Sequence, residues 1–381
     1  AINATATQVA ISAYNNAARR HNLFNPTDLT YRLTTGAVSH TLLGGVELGR
    51  QVTNNFRNTG FFNNTATTFS ASVSNPTIAI PVTFRQAASD ADNHIETTAN
   101  SAYVQDQIAV TSHVQIVAGL RAQRFDINYH NNRGDTTRTR RDDLLMPRAG
   151  LIVKPVERVS LYTSYGISYL PSSGDQFSSL NNVTETLEPE KFTNVEVGAK
   201  WQAFDRLAVT AAAYRLDRTN TRAPDPVNPA LVVQTGKARS TGTELSVFGN
   251  ATSIWQIAGT YTNQTAKIVS QTAAASPGAS VAIVPHTMAS LWNKVQVAPR
   301  VGLAVGASRR SDMYAAIDNK VTLEGYTRLD AAAFLTVTSR IRAQMNVDNL
   351  LDETFYLTAD NNNNITPGVP RMIRVSLTAG F

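Results

Sequence analysis

The feature that most limits what this chain can fold into is a period-two alternation of apolar and polar residues, repeated from one end to the other. In Arg371–Phe381, Ile373, Val375, Leu377, Ala379 and Phe381 fall on one side, and Arg374, Ser376, Thr378 and Gly380 on the other. In Asn194–Gln202, Val195, Val197, Ala199 and Trp201 oppose Asn194, Glu196, Gly198, Lys200 and Gln202. Arg340–Asp348 and Arg300–Ala307 alternate in the same way. Successive side chains of a strand leave on opposite faces, so each segment has one apolar and one polar face.

A soluble sandwich or adhesin would also alternate, so the connections carry the decision. These segments reach the roughly 9–11 residues that a tilted strand needs to cross a bilayer. Short connections at Gly36–Ser39, Thr111–His113, Pro155–Arg158, Phe204–Arg206, Asn250–Ser253, Ala298–Arg300 and Thr338–Arg340 take turns with long ones. The long ones are Arg57–Asn93, Tyr129–Asp142, Pro171–Pro189, Arg218–Thr235, Val269–Val284, Arg310–Thr322 and Glu353–Gly368. Tight turns on one side and extended loops on the other mark an outer-membrane barrel. The expected fold is therefore all-β, an antiparallel transmembrane β-barrel occupying residues 1–381 as one domain. Counting back from Phe381 gives about sixteen strands, an even number with both ends on the periplasmic side. The first strand is placed at Ala6–Tyr14, followed by a loop at Asn15–Asn25. Trp201, Trp255 and Phe381 near the short turns, and Tyr165 and Tyr261 nearer the long loops, suit two interfacial girdles.

Composition agrees. Hydrophobic residues make up 42% of the chain and mean hydropathy is −0.18. No stretch approaches the roughly 20 apolar residues of a membrane helix, whereas a barrel strand is apolar only at alternate positions. There is no cysteine, which suits a protein that crosses an oxidising periplasm. The net charge is +6 without a Lys/Arg-rich block carrying interleaved aromatics, so nucleic-acid binding is not expected. Arg121, Glu196, Lys200, Glu244, Arg328, Asp330, Arg340, Arg342 and Arg374 are expected to face the lumen, since lipid would cost each several kcal/mol.

No catalytic constellation stands out. The His residues are scattered and lack metal-ligand spacing, and the acidic group at Asp348–Asp352 lacks the loop spacing of a calcium site. Neither an enzyme nor a resident metal or cofactor is expected. Two basic loops are the ligand-site candidates: Arg133, Arg138, Arg140 and Arg141 with Tyr129 beside them, and Arg19 with Arg20. Arg and Tyr suit an anionic, aromatic-rimmed ligand through charge, hydrogen bonds and cation–π contact. The competing use of the same arginines is contact with lipopolysaccharide phosphates, or plain solvation.

The C-terminal part carries a specific resemblance. The run Asn346–Tyr356 (Asn-Val-Asp-Asn-Leu-Leu-Asp-Glu-Thr-Phe-Tyr) resembles the Asn-x-x-Asn-Leu-x-Asp-x-x-Tyr signature of TonB-dependent receptors, and Pro367–Arg371 with the strand ending at Phe381 resembles their closing strand. Leu187–Trp201, Gly236–Glu244, Pro147–Pro155, Val159–Tyr165, His40–Glu47 and Tyr103–Gln107 resemble blocks of the siderophore branch, catecholate-type receptors included. The resemblance spans roughly residues 25–381. It implies a receptor and transporter of the bacterial outer membrane that takes up ferric siderophore, with iron as cargo and no covalent chemistry. It further implies contact with outer-membrane lipid and lipopolysaccharide, a monomer, and energy from the TonB complex through a region N-terminal to the barrel. Family members carry a plug domain, an energy-coupling box and a 22-stranded barrel. Nothing in this sequence resembles the plug or the box, so a partial sequence is expected. The alternative is a passive porin-type channel of about sixteen strands, with Arg57–Asn93 as its constriction loop.

Overall fold

The computed structural model describes residues 7–171, 180, 185, 187–224, 232–271 and 276–380, and every regular element among them is a strand. The chain opens on β1 (Gln8–Ser12) and then forms a long hairpin of β2 (Tyr14–Thr35) and β3 (Val38–Phe62). β4 (Thr68–Ser72) folds back onto β1, and β5 (Val82–Arg85) pairs with the far end of β3. From β6 (Asp92–Ala109) the wall proceeds through β7 (Val114–Asn131), β8 (Thr136–Val156), β9 (Val159–Leu170) and β10 (Glu190–Phe204). It continues through β11 (Leu207–Pro224), β12 (Val232–Asn250), β13 (Trp255–Ile268), β14 (Thr287–Ala298) and β15 (Val301–Arg310). β16 (Met313–Tyr314) and β17 (Thr322–Leu323) pair within a long loop, and β18 (Tyr326–Thr336) and β19 (Ile341–Asp348) resume the wall. β20 (Tyr356–Asn361) and β21 (Asn364–Pro367) make a second loop hairpin before β22 (Met372–Ala379), the last wall strand.

The wall is one antiparallel sheet in the order β2-β3-β6-β7-β8-β9-β10-β11-β12-β13-β14-β15-β18-β19-β22, with β5 beside β3. Each strand pairs with its neighbours in sequence, and β2 and β22 are its two free edges among the described residues. The short connections fall where the alternation places them: every one is a tight turn at the same end of the wall.

Two features of the expected layout are corrected. Ala6–Tyr14 does not supply the first wall strand, because Gln8–Ser12 pairs with Thr68–Ser72 outside the wall. Asn15–Asn25 is not a loop but the outer half of β2, paired residue by residue with β3 from Tyr14↔Thr59 to Thr35↔Val38. β2 therefore starts at the long-loop end, not the periplasmic one. The reason is physical: beyond the bilayer both faces of a strand meet water, so alternation lapses while the hydrogen-bonded ladder continues. Tyr129–Asp142 repeats this, since β7 and β8 stay paired up to Asn131↔Thr136. Arg57–Asn93 is likewise tied to the wall, through the outer end of β3 and the β3–β5 pairing.

Register separates the two faces. One holds the rows Leu161–Ala199–Ala211 and Thr163–Val197–Ala213 across β9, β10 and β11. On this face Val195, Val197 and Trp201 are 47%, 58% and 51% exposed, and Val46, Leu120, Leu151, Leu245, Leu291, Leu303, Met345 and Val375 are also exposed. So much bare apolar surface fits hydrocarbon, not water. The opposite face carries charge. Arg121 pairs with Glu47, Arg328 with Asp330 at 3.0 Å, and Arg374 with Asp348 at 2.8 Å. Tyr162 Oη donates to Glu196 at 2.6 Å, and Lys200 Nζ lies 5.5 Å from the Tyr162 ring. Glu244 and Arg342 share this face by register, while Arg340 sits in the turn before β19.

Four large rings on the polar face stand directly opposite a glycine: Tyr103↔Gly45, Tyr162↔Gly198, Tyr214↔Gly242 and Trp292↔Gly306. At Gly198 a Cβ would come within 2.5 Å of the Tyr162 ring, so the ring lies flat on the neighbouring strand where only glycine leaves room.

The Asn349 turn explains the C-terminal signature. Asn349 is fully buried with a left-handed φ of +53°. Its Nδ2 donates to the carbonyls of Glu353 and Val369, its Oδ1 accepts from Glu353 N at 2.9 Å, and its own N donates to Asp330 Oδ1 at 2.8 Å. Asp352 Oδ1 accepts from Arg371 N at 2.7 Å, and the Phe355 ring rests 4.2 Å from that of Tyr326. The Asn349 side chain and the Asp330 carboxylate thus tie β18, the turn after β19 and the entry to β22 together.

Candidate functional site

At the long-loop end the mouth of the wall is built on β8, β10 and β11. Alternation sends neighbouring residues of β8 to opposite faces. Arg140 turns inward, its Nε and Nη2 donating to Asp142 Oδ1 and its Nη1 to the Glu185 carbonyl at 2.5 Å. Arg138 Nη1 donates to Glu185 Oε2 at 2.7 Å. Arg141 turns outward and donates to Asp126 Oδ1 at 2.6 Å. Arg133 stands at the exposed tip of the β7–β8 hairpin, its backbone N donating to Asn131 Oδ1. Tyr129 packs against the buried cluster of Ile95, Ile127 and Leu180. Burial pushes its phenol up, against the opposing hydrogen bond to Asn93 and the charge of Arg138.

The expected cluster is therefore divided: Arg138, Arg140 and Tyr129 meet at the mouth, whereas Arg141 and Arg133 do not. Arg19 and Arg20 lie far along the sheet on β2, where Arg20 Nε donates to Thr53 Oγ1 at 3.2 Å. They do not join the mouth group, because the segment is strand and not a loop free to fold over. Most of the Pro171–Pro189 connection lies outside the described residues, as do parts of Arg218–Thr235 and Val269–Val284.

The remaining members of the site come from β10 and β11. Arg218 Nη2 pairs with the buried Glu190 carboxylate at 2.5 Å, and its guanidinium stacks 5.2 Å from the Phe192 ring. Burial pulls the Arg222 guanidinium down, Glu190 and Asp142 oppose this, and nearby Arg140 adds to it. Arg138, Arg140, Arg218 and Arg222 thus share one mouth with Asp142, Glu185 and Glu190. Arg218 and Arg222 also line a cavity of about 370 Å³, together with Asn361, Asp360 and the apolar loop residues Val281, Ile283 and Ile317. An oriented array of guanidiniums beside an apolar floor can hold a multivalent anion with aromatic or alkyl parts. The signal that could have found this pair is Arg218-Thr-Asn-Thr-Arg222 itself, two arginines four apart on one strand.

The long loops are held in shape. Met313, Ala315, Leu323 and Ala359 form a buried cluster with Ile283, Val321 and Ile365 around it. The buried Arg310 donates to the carbonyls of Leu357, Tyr356 and Glu324. Asn319 joins Ser280 in both directions, and Asn362 Nδ2 donates to Asp318. Among the described residues no group of three or more acidic or His side chains could hold a metal.

A transmembrane β-wall with an apolar outer face, a charged inner face and a loop-roofed mouth has the architecture of an outer-membrane β-barrel protein. Comparison with known proteins specifies the family. The family model described as TonB dependent receptor-like, beta-barrel matches residues 2–350, and the chain belongs to that family. It is 27% identical over 365 residues to the probable TonB-dependent siderophore receptor PiuA of Acinetobacter baumannii, covering 87% of this chain and 49% of the relative. It is 28% identical over 396 residues to the catecholate siderophore receptor Fiu of Escherichia coli K12, covering 94% and 51%. The solved structure of PiuA superposes with a TM-score of 0.83 at 24% identity, over 95% of this chain and 56% of that one. The closed form of Fiu gives 0.79 at 25% identity, over 96% and 55%. The chain spans about half the length of the curated relatives it matches.

Proposed function

We propose that the protein to which this chain belongs captures a ferric siderophore at its outer face and imports it across the outer membrane. The observation that carries this reading is the inward-facing group Arg138, Arg140, Arg218 and Arg222 beside the apolar cavity at the mouth. Ferric catecholate complexes are anionic with aromatic rims, and guanidiniums held by carboxylates offer both charge and flat stacking faces. Iron enters as cargo within its ligand, and no catalytic step is involved. The name of the relative PiuA supports TonB as the energy source; in this reading the coupling region belongs to a part of the protein outside this barrel segment, and the barrel acts as a monomer. Membrane lipid and lipopolysaccharide surround it.

Binding to the folded chain in detergent, read by tryptophan quenching with a ferric catecholate complex, tests the reading. Arg218→Gln with Arg222→Gln should weaken binding at least about tenfold, the scale of one or two lost charge-assisted hydrogen bonds. Arg141→Gln, on the outer face, should leave it unchanged. Equal effects of the two would refute the mouth as the site.

A further inference from the structure

A cavity of about 500 Å³ is let into the inner face of β7–β10, toward the short turns and far from the mouth. Register explains why the wall is low there. Between Arg148 and Lys154 the inward positions of β8 and β9 are Gly150 opposite Ser164 and Ile152 opposite Tyr162, with Ser160 following on β9. Glycine and serine reach only a short way into the lumen, so the longer side chains around them form a rim. The Tyr162 ring lies over Gly198 of β10 and walls the cavity on that side.

Arg148, Lys154 and Lys200 line this cavity, and no carboxylate does. Among the described residues none of the three has an acidic partner. Lys200, opposite Ser160, touches the Tyr162 ring at 5.5 Å. Arg148 lies across Gly119, where a Cβ would come within 3.1 Å of its Nε. Elsewhere on the inner face Arg121, Arg328 and Arg374 each hold a carboxylate. Glu196, opposite Ser164, is engaged by Tyr162 Oη at 2.6 Å, and Glu244 stands two strands on in the row of Gly198. Gln105, opposite Gly119 at the rim, has a buried Oε1 with no hydrogen-bond partner among the described residues, so that end of its amide is not committed to the wall.

Cations that only braced the wall would be paired across it, as Arg121 is. Unpaired ones around a concave site focus the field on whatever enters it, and an aromatic side with a few polar groups suits a small-molecule ligand. Lys200 lies ten residues along β10 from Glu190 at the mouth, roughly 33 Å of strand, so one compact ligand cannot touch both places. We infer, on the reading of the mouth given above, that this cavity is a second anion site which holds the same polyanionic ferric complex on its inward path. Arg148, Lys154 and Lys200 supply the charge, and the Tyr162 ring supplies a flat contact for an aromatic rim. The mouth selects the complex, and the lower site accepts it by charge.

Equilibrium dialysis of the folded chain in detergent tests it, with the trianionic ferric tris-catecholate complex and a neutral ferric tris-hydroxamate complex as separate probes. The trianion should bind at two places, and Arg148→Gln/Lys154→Gln/Lys200→Gln should weaken one of them about tenfold. Arg218→Gln/Arg222→Gln should weaken the other. Lys294→Gln/Arg342→Gln, inward cations further round the wall, should leave both, as should the charge-keeping Arg148→Lys/Lys154→Arg/Lys200→Arg. Folding of each variant is checked by heat-modifiable gel mobility. Two unchanged sites in the triple Gln variant, a single wild-type site that only the mouth variant weakens, or equal filling of the lower site by the neutral complex would each overturn the assignment. A single site weakened by the triple Gln variant and not by the mouth variant would uphold the lower site and overturn the mouth instead.

Discussion

Replacing Val197 by Arg tests the two-faced wall at an exposed position of its apolar face. Val197 lies near the middle of β10 on the outer face, 58% exposed, between Thr163 and Ala213 of the flanking strands. An arginine there meets hydrocarbon close to the midplane, at a cost of about 2–4 kcal/mol. Lys200, three residues on, has the opposite fate. It points into the lumen, where its main contact is the Tyr162 ring at 5.5 Å, so Lys200→Ser forfeits about 0.5–1 kcal/mol. The assay is folding into vesicles followed by urea titration, with heat-modifiable mobility as the readout of assembled barrel. Val197→Arg should lower the folded yield sharply and shift the midpoint by several times the effect of Lys200→Ser. Equal shifts, or a larger one for Lys200→Ser, would refute the assignment of faces.

Other substitutions probe single contacts. Asn349→Ala orphans the backbone groups of Glu353 and Val369 and should cost about 2–3 kcal/mol, read as an earlier unfolding transition in detergent. Gly198→Val forces Tyr162 off β10 and breaks its bond to Glu196, so urea stability should drop by about 1–3 kcal/mol while Gly166→Ala, with open space at its Cβ position, stays near wild type. Asp90 gives a pH signature. Burial raises its pKa, but hydrogen bonds from Ala87 N and from Thr59 N and Oγ1, with Arg57 beside it, outweigh that and hold the carboxyl below its ordinary 3.8. Its contribution is complete above the unfolded value and is lost as pH falls through the lower folded one. Cleavage by an acid protease at Gln86–Asp92 should therefore rise over that acid range in the native chain, and Asp90→Asn should be cleaved readily at all pH values.

Alternation made the fold legible wherever lipid forced one face to be apolar: Val195, Val197 and Trp201 were readable because water and hydrocarbon meet on opposite sides of β10. It failed above the bilayer, where Asn15–Asn25 and Tyr129–Asp142 have no reason to alternate in polarity and yet remain in strands. The candidate site suffered from the same gap. Arg140 and Arg141 looked like members of one basic loop, but on a ladder adjacent residues part company, one into the mouth and one outward. Arg222 feels the charge of Arg140 only because β9 and β10 carry the sheet from β8 round to β11, a neighbourhood that local spacing does not encode. The asparagine of the closing signature was visible as a pattern, while its hold on Val369 required the fold.

The small buried cluster of Met313, Ala315, Leu323 and Ala359 has a consequence for how the mouth is held. The roof has an interior of its own, and Ala315, Ala359 and Ile283 of that interior also line the cavity that Arg218 and Arg222 enter. A change in the packing of the roof is therefore felt where the guanidiniums stand, whereas the exposed hairpin tip at Arg133 lies apart from both.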